Sequence, residues 1–343
     1  MSLDLPSISS VSTEPILFTQ VPALDTVHNK LVSFVDGVPS LASSTKIKDD
    51  LAQEILPWLK QRYVQKSKAQ TKPAVVAAFG RTIAALVTDL PAASLFPLFD
   101  IWRLAILEPA IAQVTLTPLV KVLALNSESV SSSPRATLLT LLRLVTNALG
   151  GSLSRSLLPP EAQEARAALT SVLVQTLLHQ DRLVRVAAAS LAFNVGAWVQ
   201  KGRVARIKGE EMVDGIRESE EDGEWEVELV SAVAEALAGE EESEDAGELP
   251  SFLRPPVINS ITGSRDDEYK SLTLSLVHRL TATLAFLIRL SPFYEDQLVP
   301  LLSVLQVGEM LKGKLAEDGK LKVRKKEIRA LVGEVGDRLC NGS

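Results

Sequence analysis

One cysteine in 343 residues, Cys340, leaves no intrachain disulfide framework and no four-ligand zinc cluster. Histidine is nearly as scarce: His28, His179 and His278 are scattered and form no H-x-x-x-H pair, so no metal-site pattern is present. Neither GxxxxGK[ST] nor GxGxxG occurs, which removes motif support for nucleotide binding. Cys340 lies three residues from the end, in a tail expected to fray, a poor place for a nucleophile that needs a histidine and an oxyanion hole. No catalytic residue, cofactor or metal is therefore expected. The opening MSLDLPSISSVSTEP lacks the basic and apolar regions of a secretory signal. The most apolar long run, SLTLSLVHRLTATLAFLIRL, contains His278, Arg279 and Arg289, which are costly at a bilayer centre. A soluble, cytosolic or nuclear chain follows, with no membrane partner.

Aromatic residues are also few, at 5%, whereas hydrophobic residues make up 46%, so Leu, Val and Ala fill the interior. Strand-like alternation is absent, and helix signals recur from about residue 46. Helices are expected over roughly 46–66, 73–89, 92–107, 109–125, 181–200, 225–238, 266–291, 294–313 and 318–340. Ser133-Pro134 and Pro159-Pro160 mark two further starts, and Gly150-Gly151 marks a stop. The Ser- and Pro-rich residues 1–45 are expected to be loosely structured, and 46–343 to form one domain. Net charge is −6, but residues 209–248 hold 17 acids against Arg217 alone. That block carries −16, so with −6 overall the rest of the chain carries +10, a basic body with an acidic insert. The clusters KQRYVQKSK and KLKVRKKEIR lack interleaved stacking aromatics beyond Tyr63 and are read as solvated faces, so nucleic acid is not an expected partner.

Many short-linked helices, several apolar nearly all round, suggest stacked layers. Four fragments align: IWRLAIL, LLRLVTN, ASLAFNV and VHRLTAT. Taking Arg103, Arg143, Ser190 and Arg279 as equivalent, the offsets are 40, 47 and 89, and the last becomes 49 once the acidic block is set aside. Armadillo and HEAT units have this period, so the fold expected is all-α, an armadillo/HEAT-like solenoid of about five to six repeats. Thr140, Arg143 and Asn147 fall at i, i+3 and i+7, on one helical stripe, and the stripe recurs as Ala187, Ser190 and Asn194. Polar residues stacked on the inner helices of a solenoid can meet an extended peptide, and an asparagine amide offers its backbone both a donor and an acceptor. The plainer alternative is that Asn147 and Asn194 cap nearby carbonyls and Arg143 pairs with an acid.

The stretches FPLFDIWRLAILEP, LLRLVTNALGGSLSRSLL and VRVAAASLAFNVGAW, with the run from Tyr269 to Pro292, resemble the PUL domain of phospholipase-activating-protein-like chains, over about residues 45–315. The resemblance implies an armadillo-like, noncatalytic adaptor. Its basic groove would receive the acidic C-terminal tail of the AAA+ segregase valosin-containing protein, in ubiquitin-linked turnover. It also implies that Arg103, Arg143, Asn147, Asn194 and Arg279 line that groove. Ubiquitin-pathway proteins would be further partners and the chain itself a monomer. The acidic block is a departure that the family pattern does not require, and it is expected to loop out and compete for the groove. A rival reading makes the chain a regulatory module of a thioredoxin-like or desumoylating-peptidase-like protein, with the chemistry elsewhere.

Overall fold

The computed structural model describes residues 5–42, 45–209, 220–240, 276–315 and 326–340. Every regular element among the described residues is helical, and the fold belongs to the all-α helical-repeat class. The chain divides into two compact units, one of residues 16–175 and 181–187, the other of 1–15, 176–180 and 188–343. The expected layout of 1–45 as a loose segment and 46–343 as one domain differs from this. Leu24–Asp36 is a 13-residue helix that buries Leu24, Leu31 and Val35, and Pro6–Ser10 is a short helix that buries Ile8. Serine and proline hid an amphipathic pattern with apolar residues at 24, 27, 31 and 35.

In the first unit, the helices Phe96–Ala105 and Arg135–Gly150 pack extensively against each other. Arg135–Gly150 is buried without interruption from Thr137 to Leu149, as expected of a helix enclosed on all sides. It stops where the sequence predicts: Gly151 donates its N–H to the Asn147 carbonyl at 2.9 Å. A Cβ on Gly151 would come within 3.2 Å of that same oxygen, so the close approach suits glycine. Its start lies one residue later than the Ser133-Pro134 signal, with Pro134 as the capping residue. Trp102 is fully buried and donates its indole N–H to Thr115 Oγ1 at 3.1 Å, which satisfies the polar atom of a core aromatic. The segment from Thr45 to Val64 is helical throughout, with wider turns over Asp50–Ile55 and Lys60–Val64. Pro57 lacks the N–H that a regular helix would return to the fourth preceding carbonyl, a local cause for the change of pitch.

In the second unit, Glu220–Gly239 packs along Leu276–Ile288 and buries Leu229, Val230, Val233 and Leu237. This corrects the expectation that the acidic block loops out. Its central half is a core helix whose apolar stripe faces inward while Glu224, Glu228 and Glu235 are exposed; residues 210–219 and 241–248 lie outside the described residues. Two of its acids, Asp222 and Glu226, are internal. Glu226, 2% exposed, pairs with Arg203, 4% exposed, at 2.5 Å, and Arg203 also donates to the Leu287 carbonyl near the end of Leu276–Ile288. The helix Lys326–Glu334 and the turn after it, Val335–Leu339, bury Cys340 at 3% exposure. The C-terminal tail is thus packed where fraying was expected: Val335 and Leu339 are core residues, and Tyr294 donates its hydroxyl to the Leu339 carbonyl at 2.9 Å. At the other end, Glu334 accepts the Ser7 N–H at 2.6 Å.

Arg182–Ile207 is long and apolar enough to cross a membrane by length and composition, but 78% of its apolar window is buried inside the protein. The expected helix starts at 266 and 318 fall outside the described residues, as does most of the basic cluster KLKVRKKEIR.

Candidate functional site

Of the five residues singled out from the sequence, three converge in the unit formed by residues 16–175 and 181–187. Arg103 projects from the last turn of Phe96–Ala105, and Arg143 and Asn147 from adjacent turns of Arg135–Gly150. What they surround is another part of the same chain, the non-helical stretch that runs from Ser12 to Pro22.

Asn147, fully buried, accepts the Phe18 N–H on Oδ1 at 2.6 Å and donates through Nδ2 to the Phe18 carbonyl at 3.0 Å. The same Nδ2 donates to the Arg103 carbonyl at 2.7 Å. That carbonyl sits at the end of a helix, where intrahelical donors run out. Asn147 therefore caps a helix-end carbonyl and also holds an extended backbone of its own chain through donor and acceptor together.

Arg103, 4% exposed, spreads its guanidinium over three acceptors. Nε donates to Asp100 at 2.6 Å, Nη1 to the Phe18 carbonyl at 2.8 Å and Nη2 to the Gln20 carbonyl at 2.7 Å. A planar fork reaches two carbonyls of an extended strand at i and i+2 without bending either bond, which an ammonium could not do. Arg143 lies over the Phe18 ring, 5.7 Å from guanidinium carbon to ring centre, within cation–π range. Burial, together with the neighbouring charge of Arg103, pushes the Arg143 guanidinium down to about 10, so it stays cationic at neutral pH. Thr140, on the same stripe, turns its hydroxyl back to the Ala136 carbonyl of its own helix at 2.8 Å and takes no part.

Asn194 and Arg279 belong to the other unit. Arg279 is 5% exposed and donates through Nη1 to Ser190 Oγ at 2.9 Å, so two of the positions aligned by the repeat meet directly. Burial pushes Arg279 down to about 10 as well. Asn194, 4% exposed, lies one turn beyond Ser190 on Arg182–Ile207.

Phe18 and Gln20 were not singled out from the sequence. Their one local signal is the pair of prolines around them, since Glu14 precedes Pro15 and Val21 precedes Pro22 and a residue before proline is driven to extended conformation. That predicts an extended segment but not where it docks.

The PUL domain model matches residues 12–248, more than half of the chain. The chain belongs to the PUL domain family. The match starts at residue 12, so it takes in the strap at Phe18 and Gln20, although the resemblance read from the sequence began near residue 45. Its span includes the acidic block, whereas the Tyr269–Pro292 run lies beyond it. No curated protein matches the chain. The PUL domain is a protein-interaction module.

Proposed function

We propose that this PUL domain is a noncatalytic adaptor that binds an extended peptide at Arg103, Arg143 and Asn147; Asn194 and Arg279, in the other unit, are proposed as peptide-contacting residues of that unit. The observation that carries the reading is the grip of Asn147 and Arg103 on main-chain groups of an extended segment, the N–H and carbonyl of Phe18 and the carbonyl of Gln20, because that geometry recognises peptide backbone of any sequence. The partner we favour is the acidic C-terminal tail of the AAA+ segregase valosin-containing protein, in ubiquitin-linked turnover in the cytoplasm or nucleus. Charge supports this choice: outside residues 209–248 the chain carries +10, and two guanidiniums stand at the site itself. The chain is proposed to act as a monomer, with no catalytic residue, metal or cofactor.

The test is fluorescence anisotropy of a labelled segregase-tail peptide titrated with the full chain at two salt concentrations. Saturable binding that weakens with salt, and that is lost with Arg143→Ala at unchanged helicity, supports the reading. No binding at either salt concentration refutes this partner.

A further inference from the structure

The site just described is already occupied. The hydrogen bonds that Asn147 and Arg103 make to the strap end on main-chain atoms, the N–H and carbonyl of Phe18 and the carbonyl of Gln20. None of them reads a side chain, so none is specific to this strap. The sequence-dependent contact is the Phe18 ring, which is buried at 8% exposure beneath Arg143, while Ile16, Leu17, Thr19 and Gln20 are each only partly covered. From Pro15 to Leu24 the strap carries no charge, although it lies against two guanidiniums.

We infer that residues 16–20 are an exchangeable internal ligand, and that the external ligand of this site is an extended peptide with an aromatic side chain at the place of Phe18, which enters only as the strap leaves. The inference rests on the adaptor reading above and adds the identity of the competitor and the anchor. A site that holds its occupant by main-chain bonds accepts any strand able to adopt the same extended path, and a tethered occupant competes at an effective concentration of roughly millimolar order. The external peptide therefore binds with its intrinsic affinity reduced by the fraction of time the strap is away. An acidic peptide has one means of winning that the strap lacks, attraction to the guanidiniums of Arg143 and of Arg103, the latter already paired with Asp100. Weakening the strap without touching the site raises the apparent affinity for every external ligand by the same factor.

The experiment uses the full chain, as parent and as Phe18→Ala, with a fluorescein-labelled peptide EPILFTQVP copied from residues 14–22. The Phe18→Ala chain is expected to bind it at least tenfold more tightly than the parent, and the peptide with its own phenylalanine replaced by alanine is expected to lose at least tenfold on that chain. Equal affinity for parent and variant at unchanged circular dichroism overturns the inference.

Because Phe18→Ala removes a buried ring, a second measurement is made on the unaltered protein. Amide exchange at Phe18 should accelerate when unlabelled EPILFTQVP or the segregase-tail peptide is added to saturation, and bound peptide with unchanged exchange at Phe18 overturns the inference. The two readings fail separately. A tail peptide that binds and leaves Phe18 protected keeps the adaptor and refutes exchange. A tail peptide that binds no variant while EPILFTQVP behaves as expected keeps exchange and refutes that partner.

Discussion

Asn147→Ala isolates the central element of the site. The substitution deletes an amide that is fully buried and makes three hydrogen bonds, two to Phe18 and one to Arg103. The Phe18 carbonyl keeps a partner, Arg103 Nη1 at 2.8 Å. The Phe18 N–H and the Arg103 carbonyl lose the partner that Asn147 gave them, and a buried polar group left in that state costs about 1–3 kcal/mol. The vacated volume is small and adds less than a deleted leucine would. A loss of about 3 kcal/mol is therefore expected, a large share of the roughly 5–15 kcal/mol by which domains are stable. The loss should be local: amide exchange at Phe18 should rise by about 100-fold, the equivalent of about 2.7 kcal/mol, while the core amides of Arg135–Gly150 change less. Thr140→Ala is the control on the same stripe. Its hydroxyl returns to its own helix, so about 1 kcal/mol or less is expected. Urea unfolding followed by circular dichroism gives the global number, and residue-resolved hydrogen exchange gives the local one. If Asn147→Ala is no more destabilising than Thr140→Ala and leaves Phe18 exchange unchanged, the amide does not hold the strap and the reasoning fails.

Arg103→Lys keeps the charge but cannot span Asp100 and two carbonyls, so about 2 kcal/mol of stability should be lost by urea titration; recovery of parental stability would show that charge alone suffices. Glu226→Gln should destabilise the other unit by about 3 kcal/mol, because it leaves Arg203 buried beside a neutral partner, and thermal unfolding measures it. Asp50 is buried, which alone raises a carboxyl, but hydrogen bonds from Arg81 and Lys46 outweigh burial and hold it below its usual range. Its contribution is therefore complete above the ordinary aspartate value of about 3.9 and is lost as pH falls through the depressed folded value. Asp50→Asn should accordingly flatten the acid limb of a stability-against-pH curve measured by urea midpoints. Burial pushes the Cys340 thiol up to about 12, so a disulfide reagent at pH 8 should label it slowly in the native state and rapidly in urea.

The parts of this protein legible in its sequence are those set by local periodicity. The all-α class, most helix positions, the stop at Gly150-Gly151 and the Thr140, Arg143, Asn147 stripe follow from a 3.6-residue pattern and from capping chemistry, which act within a few turns. Where reasoning from the sequence departed from the structure, the deciding contact was distant. The acidic block looked like a solvated insert because its charge was counted, yet Leu229, Val230, Val233 and Leu237 share one side of a helix and bury against Leu276–Ile288, some 45 residues later. Charge density says which face is wet, not whether the opposite face is dry.

The strap is the sharper case. Asn147 was expected to present a donor and an acceptor to a peptide backbone, and it does so to Phe18, which lies 129 residues away in the chain. Nothing local distinguishes a groove filled by its own chain from one waiting for a partner, because both need the same amide, the same fork and the same spacing. The covalent connection then decides which occupant prevails. A segment on the same chain need only match the shape of the site, since tethering supplies its concentration, whereas an external peptide must add something the strap does not have. At this site the strap, uncharged from Pro15 to Leu24, leaves that something available in Arg103 and Arg143. Adding charge to the strap on the side shared with Phe18, for instance by Gln20→Glu, should therefore close the site more firmly and weaken every acidic competitor. Anisotropy with the segregase-tail peptide reads this directly, and an unchanged affinity would mean that the two guanidiniums contribute nothing to the contest.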